Sequence, residues 1–326
     1  NPQANILFED LQVKAICCNN WDTNGDGELS YAEAASVKTI DVVFKFNKEI
    51  IAFTELKHFV GLTEIPIDAF NECKSLIKIS LPKNIKAVGD KAFYQCENLS
   101  NISVNVGITS IGNSAFCNCA KLSRFTIPDS VISIGERAFL SSVSMGKGVS
   151  EIGREAFSSC AKLTSIVIPN KVSSIEYGTF KYCTSLSSVT IPNGVTSIGS
   201  YAFMECSSLQ SVTIPDSVIS IETFAFYHCP ILSSVVIGKN VSSIEVDAFG
   251  YCPSLKSIYC KPTTPPALYY NKNDKSGSFT SNSGMKIYVP RNSYGLYMQY
   301  GSYSSGYTSP QNWYAYKSYI EEFDFE

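Results

Sequence analysis

Apolar and polar residues follow one pattern along most of this chain, and the pattern repeats every 23 residues. Residues 186–208 contain it in full as L-x-x-V-x-I-P-x-x-V-x-x-I-G-x-x-A-F-x-x-C-x-x, and Leu209 starts it again. A phenylalanine marks each repeat, at Phe70, Phe93, Phe116, Phe139, Phe157, Phe180, Phe203, Phe226 and Phe249. A fixed period of this length predicts a solenoid of stacked turns.

Each repeat contains signals for a strand, a bend and a helical turn. Residues 189–191 alternate apolar and polar side chains, which predicts a short strand with one buried face. Pro192 cannot donate a ladder hydrogen bond and ends the strand. Gly199 permits a backbone bend that other residues resist, and residues 202–206 fit one turn of helix with Phe203 inside. One repeat buries roughly six large apolar groups, each contributing about 2 kcal/mol. Ordering the repeat costs about 1.5 kcal/mol per residue, so only a stack of repeats can fold.

This repeat resembles the leucine-rich repeat of the BspA-like, Treponema-type family of bacterial surface proteins, over about residues 62–260. The resemblance implies an α/β-type solenoid, a right-handed leucine-rich repeat stack of about nine units. Members of that family are generally secreted or surface-attached, and they are associated with adhesion or host-protein binding. The resemblance therefore implies a secreted or cell-surface bacterial protein.

The repeat does not cover the two ends of the chain. Residues 1–61 predict a helical N-terminal cap, because Phe8, Leu11, Ala15 and Cys18 recur at helical spacing and a second helix is expected near residues 31–40. After Cys260 the pattern breaks at a proline-rich segment, and a strand is expected at residues 285–290. Residues 261–326 resemble the C-terminal cap of the same family, with a short helix near residues 313–320. We therefore expect a mixed C-terminal cap with a tyrosine-rich loop.

Residues 22–33 match the calcium-loop pattern D-x-[DN]-x-[DN]-G-x5-E at every fixed position and resemble an EF-hand or dockerin-type loop. Calcium takes six to eight oxygen ligands from a tightly curled loop. Gly27 would make the sharp turn, and Leu29 would anchor the loop to a core. The expected ligands are Asp22, Asn24, Asp26, the Glu28 carbonyl, Ser30 and Glu33.

The chain contains a single copy of this loop, although such loops usually work in pairs. Two interpretations stay open: a structural Ca2+ ion of modest affinity, or a helix-loop-helix whose site is empty or weak. A structural role is favoured over sensing, because the N-terminal end of a solenoid needs a cap over its exposed apolar face.

The outward strand positions form a mostly Ser/Thr face. Binding hot spots are enriched in Trp, Tyr and Arg, and only Arg124 and Tyr259 qualify on this face. A second candidate surface is the Tyr/Ser/Gly-rich run near residues 297–310, a composition typical of adaptable binding loops. Its candidate residues are Tyr297, Tyr300, Tyr303 and Tyr307. The alternatives are a solvent-facing strand surface and a flexible cap loop packed on the last turn.

One repeat is shorter than the others. Phe139 and Phe157 are 18 residues apart because five residues of the predicted helical turn are missing. We expect a notch at the outer edge of the solenoid, which is either a neutral deletion or a recessed ligand site.

Composition excludes several classes of function. The net charge of −3 provides no basic field for nucleic acid, and no apolar run of about 18 residues predicts a membrane-spanning segment. Eight of the twelve cysteines stand three residues after a repeat phenylalanine. These eight are expected to form a buried column of small apolar side chains. The chain starts at Asn1 without a signal peptide, which we interpret as a trimmed mature or cloned boundary.

No convergent set of nucleophile, base or metal-bound water is visible, so we expect no enzyme and no catalytic residues. The leading hypothesis is an exported binding or adhesion scaffold that recognises a protein or a glycan, and we expect it to be a monomer. The alternative is a structural spacer with no ligand of its own on this chain.

Overall fold

The computed structural model describes residues 3–104, 106–122, 125–139, 143–271, 276–280, 282–298 and 307–325. The chain divides into two compact units, residues 1–157 and 158–326. Each unit is a stack of turns, and the two together contain about nine turns of roughly 23 residues. The predicted leucine-rich repeat stack is therefore confirmed.

Unit 1 begins with two helices, α1 (Leu11–Trp21) and α2 (Tyr31–Ser36). Asp10 caps α1, because its Oδ1 accepts hydrogen bonds from the Gln12 and Val13 amides at 2.9 and 3.3 Å. The buried face of α1 consists of Val13 and Cys17, whereas Leu11 is 75% exposed. The predicted helix is thus present, but its inward face differs from the one that the spacing indicated.

Ten short strands follow in unit 1, most of them two or three residues long: β1 Ala52–Phe53, β2 Glu64–Ile65, β3 Lys78–Ser80, β4 Ala87–Val88, β5 Asn101–Ser103, β6 Ser110–Ile111, β7 Phe125–Thr126, β8 Ser133–Ile134, β9 Val143–Ser144 and β10 Glu151–Ile152. They form parallel sheets in the orders β1-β3-β5, β2-β4-β6-β8-β10 and β7-β9. Successive turns therefore align strand on strand, as the sequence period requires.

Unit 2 continues with strands from the repeats and the C-terminal cap: β11 Ser165–Val167, β12 Ser174–Ile175, β13 Ser188–Thr190, β14 Ser197–Ile198, β15 Ser211–Thr213, β16 Ser220–Ile221, β17 Ser234–Ile237, β18 Ser243–Ile244, β19 Ser257–Cys260, β20 Ala267–Asn271, β21 Ser276–Gly277, β22 Lys286–Pro290, β23 Tyr307–Ser309 and β24 Ile320–Phe323. One sheet has the order β12-β14-β16-β18-β20-β21, with β23 paired to β20. A five-stranded parallel sheet, β15-β17-β19-β22-β24, joins repeat strands to cap strands.

The repeat phenylalanines form a buried column inside each unit. In unit 1 the ring centroids of Phe70 and Phe93 are 5.3 Å apart and their planes differ by 3°. In unit 2 Phe226 and Phe249 stack at 5.1 Å. Phe279 of the C-terminal cap extends that column at 5.3 Å from Phe249, although it lies outside the sequence period.

The segment around each phenylalanine is a series of tight turns, so the predicted helical turn is wrong. The Tyr201 and Phe203 amides donate to carbonyl oxygens of the next turn at 3.0 and 2.7 Å. An α-helix would direct those amides to carbonyls within its own segment. Tyr201 and Glu205 also have φ values of 60° and 57°, which an α-helix does not contain.

Gly199 has a different role from the predicted one. It is not among the residues with a left-handed φ, so backbone freedom does not explain it. A Cβ at this position would lie 2.8 Å from the Ile175 carbonyl oxygen of the preceding turn. Glycine is therefore required because neighbouring turns approach closely here.

All eight column cysteines are buried, as predicted. The thiols donate hydrogen bonds to backbone carbonyls of the preceding repeat: the Cys96 thiol donates to the Phe70 carbonyl at 3.0 Å, and the Cys229 thiol donates to the Phe203 carbonyl at 3.3 Å. Each bond links one turn to the turn before it.

The shortened repeat keeps its strand. Phe125 pairs with Val143 across β7 and β9, and the Phe139 amide donates to the Ala156 carbonyl at 3.0 Å. Residues 140–142 lie outside the described residues, so the predicted notch stays a prediction.

The C-terminal cap packs around aromatic side chains. A short helix α3 (Tyr294–Tyr297) and a 3-10 helix (Pro310–Tyr319) accompany its strands. Trp313 is fully buried, and its Nε1 donates to the Pro266 carbonyl at 2.7 Å. The predicted strand at residues 285–290 is confirmed as β22. In the described part of the chain, no helix combines the length and apolar character that a bilayer crossing needs.

Candidate functional site

The loop at residues 22–33 is curled by its own side-chain oxygens. Asp22 accepts hydrogen bonds from the Gly25 and Gly27 amides at 2.6 and 2.9 Å. Asn24 and Asp26 each accept from the amide two residues later at 2.8 Å. The two glycines have φ values of 75° and 78°, a left-handed conformation that other residues adopt at a cost. The tight turn at Gly27 is as predicted.

Glu33 holds the two ends of this loop together. Its Oε1 accepts from the Thr23 amide and hydroxyl, both at 2.9 Å, and from the Asn24 amide at 3.3 Å. Its Oε2 accepts from the Ser30 amide at 2.9 Å and completes a capping box at the start of α2. These bonds, the Ser30 amide first among them, stabilise the carboxylate and lower the pKa of Glu33 to about 2.

The segment before α1 completes the loop. The Ile6 amide donates to the Leu29 carbonyl at 2.8 Å, and the Tyr31 amide donates to the Ala4 carbonyl at 3.0 Å. Leu29 is fully buried, as its predicted anchoring role requires. Residues 4–6 therefore form backbone hydrogen bonds with this single loop. In a pair of such loops, the second loop would occupy this position.

The donor types in this loop fit calcium, which prefers carboxylate, amide and carbonyl oxygens. Their arrangement differs from a preformed cage. Among the residues that the structure describes, no group of three or more His, Cys, Asp or Glu side chains is placed to hold a metal ion. The Glu33 carboxylate accepts hydrogen bonds from the amides of Thr23, Asn24 and Ser30.

The outward face of the five-stranded sheet in unit 2 is the second candidate site. Along β19, Ile258 is fully buried while Tyr259 is partly exposed, as the two-residue alternation of a strand dictates. On β15 and β17 the equivalent outward residues are Thr213 and Val236, in register with one another. Ser211, Ser234 and Ser257 also face outward on these strands, so most of their outward positions are small and polar, as predicted.

Three aromatic residues interrupt this polar face where repeat strands meet cap strands. We call Tyr259, Tyr288 and Phe323 the terminal aromatic cluster. The Tyr259 and Tyr288 rings stack at 4.8 Å with 16° between their planes, because the two residues are register partners in β19 and β22. Phe323 contacts both rings edge-on at 5.6 and 5.4 Å.

The repeat pattern predicts an outward position for Tyr259 but does not extend to Tyr288 and Phe323. Both belong to cap strands that carry no 23-residue register, so their position beside Tyr259 is not readable from the repeat. The alternation in residues 286–290 did contain a signal, because it places Tyr288 on the opposite face from Ile287 and Val289.

Two cavities share Asp216 and Lys261 as lining residues, and the second of them lies beside this cluster. The first, of about 530 Å3, is lined by hydroxyl-bearing residues of β13 and β15. The second, of about 550 Å3, is lined by Phe323, Phe325 and charged residues that include Arg291. We call the two together the Lys261 groove.

The remaining predicted binding residues are distributed differently. Tyr297 is 1% exposed, and its hydroxyl donates to the Pro262 carbonyl at 2.6 Å. Tyr297 is therefore a core residue of the cap and not part of an exposed loop. A buried tyrosine hydroxyl needs a hydrogen-bond partner, and the Pro262 carbonyl provides it. Arg124, Tyr300 and Tyr303 lie outside the described residues. Tyr307 lies in β23, whose backbone pairs with β20, and its side chain is not described.

Comparison with known proteins identifies the repeat. The profile of the BspA type leucine rich repeat region matches residues 44–149 and 150–265, in six copies. No curated protein sequence matches the chain.

Three solved structures are similar to this chain. The leucine-rich repeat protein of T. pallidum is 31% identical over 45% of this chain and 72% of its own, with a TM-score of 0.43. A leucine-rich cell surface protein of Faecalibacterium prausnitzii is 29% identical over 78% of this chain and 77% of its own, with a TM-score of 0.49. The pneumococcal vaccine antigen PcpA is 20% identical over 82% of this chain and 72% of its own, with a TM-score of 0.50. The last of these supports the fold alone.

Proposed function

This chain belongs to the BspA-type leucine-rich repeat family, and from that premise we propose that it is an exported or cell-surface binding scaffold. The family is a scaffold family in kind, and its members are commonly surface proteins. The proposed binding surface is the outward face of the five-stranded sheet in unit 2, and its partner is a protein or a glycan.

The terminal aromatic cluster is the observation that carries this proposal. Stability favours burial of large rings, and the outward positions of neighbouring strands hold small residues such as Thr213. Phe323 nevertheless remains 41% exposed beside Tyr259 and Tyr288. Aromatic residues are enriched at the centres of interfaces, where they supply contact area at little entropic cost.

Substitution in the cluster tests this proposal. Immobilised protein is presented with a panel of host matrix proteins, glycans and bacterial surface polymers. We expect saturable binding that Tyr288→Ala weakens at least tenfold, because hot-spot truncations typically cost about 2 kcal/mol or more. The control is Tyr251→Ala, since Tyr251 is 62% exposed but lies outside the sheet face. Equal loss in both variants would contradict the proposed surface.

The structural-spacer alternative is favoured by the small polar side chains over most of the sheet face. Failure of the whole panel to bind would support it. Within the Tyr/Ser/Gly-rich run near residues 297–310, the segment 299–306 stays a candidate recognition surface. Replacing it with a Gly-Ser linker of equal length separates its contribution from that of the cluster.

We also propose that residues 22–33 bind a structural Ca2+ ion. Support comes from the complete donor pattern and from the curled backbone at Gly25 and Gly27. Asp22, Asn24, Asp26 and Glu33 would supply side-chain oxygens, and the ion would supply a charge that draws them together. Titration of chelator-stripped protein should then show binding, and calcium should raise the melting temperature above its value in chelator. Absence of both effects would leave a loop that is held by hydrogen bonds alone.

A further inference from the structure

We propose that the Lys261 groove binds an acidic oligosaccharide, with the Lys261 ammonium paired to a sugar carboxylate. This inference rests on the proposed binding function and names the ligand class of that face. Three features of the groove carry it: a cation at its centre that has no salt-bridge partner among the described residues, aromatic rings at one end and hydroxyl groups at the other.

Lys261 differs from the other cations of the groove. Lys239 faces Asp216 at 3.6 Å, and Arg291 forms a salt bridge with Asp324. Among the described residues Lys261 has no salt-bridge partner, although it lines both cavities. Lys261, a half-buried residue that lines both cavities, is therefore available to an anionic ligand, and partial desolvation strengthens such a pair relative to one in bulk water.

The aromatic end suits a sugar ring. Phe323 and Phe325 line the second cavity, with ring centroids 5.2 Å apart and planes at 62°. Phe323 also contacts Tyr259 and Tyr288. The face of an aromatic ring carries partial negative charge, and the C–H face of a pyranose is apolar and weakly positive. Stacking between the two would orient a sugar whose charged group reaches Lys261.

The opposite end supplies hydrogen-bonding groups. The first cavity is lined by Ser188, Thr190, Ser211 and Thr213, whose side chains stand outward on neighbouring strands. A hydroxyl both donates and accepts, so it can match a sugar hydroxyl in either sense. Such a polar surface suits a polyhydroxylated chain.

A peptide fits this groove less well. Extended peptides commonly bind by adding a strand to a sheet edge, whereas the groove lies over the face of a sheet in which β17 and β19 each pair with a neighbour on both sides.

The test compares two probes that differ only in charge, a hexamer of galacturonic acid and its fully methyl-esterified form. Calorimetric titration is performed with the full chain at low and at physiological salt. We expect saturable binding of the acid, at least tenfold weaker binding of the ester, and weaker binding of the acid as salt rises. Lys261→Met should reduce affinity for the acid to that for the ester.

Matched variants separate the contributions of the groove. Lys256→Met removes an exposed lysine that precedes β19 and lines neither cavity, and it should leave binding unchanged. Phe323→Ala should weaken both probes by a similar factor, because it removes stacking and leaves the charge in place.

Three results would overturn this inference: no binding of either probe, equal binding of both, or binding that Lys261→Met leaves unchanged. Binding of poly-glutamate that depends on Lys261, without binding of the oligosaccharide, would identify an acidic peptide site instead. If the glycan probes fail while Tyr288→Ala still abolishes capture of another partner, the ligand class is wrong and the proposed binding surface stands.

Discussion

Glu33 is the single residue on which the N-terminal loop depends most. Its two carboxylate oxygens accept hydrogen bonds from the amides of Thr23, Asn24 and Ser30. The donors come from both ends of the loop, so one side chain closes it and caps α2. The sequence pattern predicts Glu33 as a calcium ligand, and the structure adds a role that requires no ion.

Replacement of Glu33 by glutamine should destabilise the protein by about 2 kcal/mol, measured by chemical denaturation in chelator. Every group that contacts the Glu33 carboxylate donates a hydrogen bond to it. The side-chain NH2 of glutamine is also a donor, so it would lose the hydrogen bonds of the oxygen that it replaces. Glu64→Gln is the control, because Glu64 is exposed on β2. Equal stability of the two variants would show that the loop closes without Glu33.

The same residue predicts a pH dependence. The pKa of Glu33 is about 2 in the folded protein and 4.5 ordinarily. A lowered pKa means that the contribution to stability is complete above about pH 4.5 and is lost as the pH falls toward 2. The difference in unfolding free energy between wild type and Glu33→Gln should shrink over this range. A constant difference would assign the effect to packing and not to charge.

At the scale of one turn, glycine is selected by contact between neighbouring turns. A Cβ at Gly199 would lie 2.8 Å from the Ile175 carbonyl oxygen, and backbone atoms cannot move aside easily. Gly199→Ala should therefore cost about 1–3 kcal/mol in thermal or chemical denaturation. Gly295 in α3 is the control, since a Cβ there would meet nothing within 4 Å. Gly295→Ala should be neutral or slightly stabilising.

The cysteine column predicts a pattern of chemical reactivity. Burial raises the pKa of the Cys73 thiol to about 12, and thiolate is the reactive form. Cys18 and Cys117 are only half-buried, so native protein should be alkylated first at these two positions. Peptide mass spectrometry after brief labelling distinguishes them. Rapid modification of the column cysteines without denaturant would contradict their burial.

At the scale of the whole molecule, the repeat period controls folding. Ser174, Ser197 and Ser220 pair in register in unit 2, so removal of residues 187–209 would bring equivalent positions together again. This variant should fold cooperatively with a lower denaturant dependence, because it buries less surface. Removal of residues 187–206 breaks the register and should abolish cooperative unfolding. Circular dichroism during denaturation reports both outcomes.

The sequence alone determined the repeat architecture. Phenylalanine and cysteine recur at fixed spacing, and both form buried columns in each unit. The prediction succeeded because identical positions in successive turns share one environment. The period therefore predicts which residues contact each other. The short strands followed for the same reason, since residues such as Ile198 and Ile221 face the core in register.

Only the tertiary structure decided the local conformation that depends on neighbouring turns. Residues 199–206 have helix-like spacing, but hydrogen bonds from Tyr201 and Phe203 to the next turn outweigh bonds within the segment. Likewise, the buried residues of α1 are Val13 and Cys17 and not those that the helical spacing predicted. Packing on the first turns decides which face of the helix points inward.

The candidate binding surface was also a tertiary result. Tyr259 belongs to a repeat, whereas Tyr288 and Phe323 come from cap strands that share no period with it. Lys261 reaches the groove because β19 lies between a repeat strand and a cap strand. The neighbours of a repeat position can be predicted because the same contact recurs in every turn. A contact that occurs once, between distant parts of the chain, has no such periodic signal and forms only when the sheet forms.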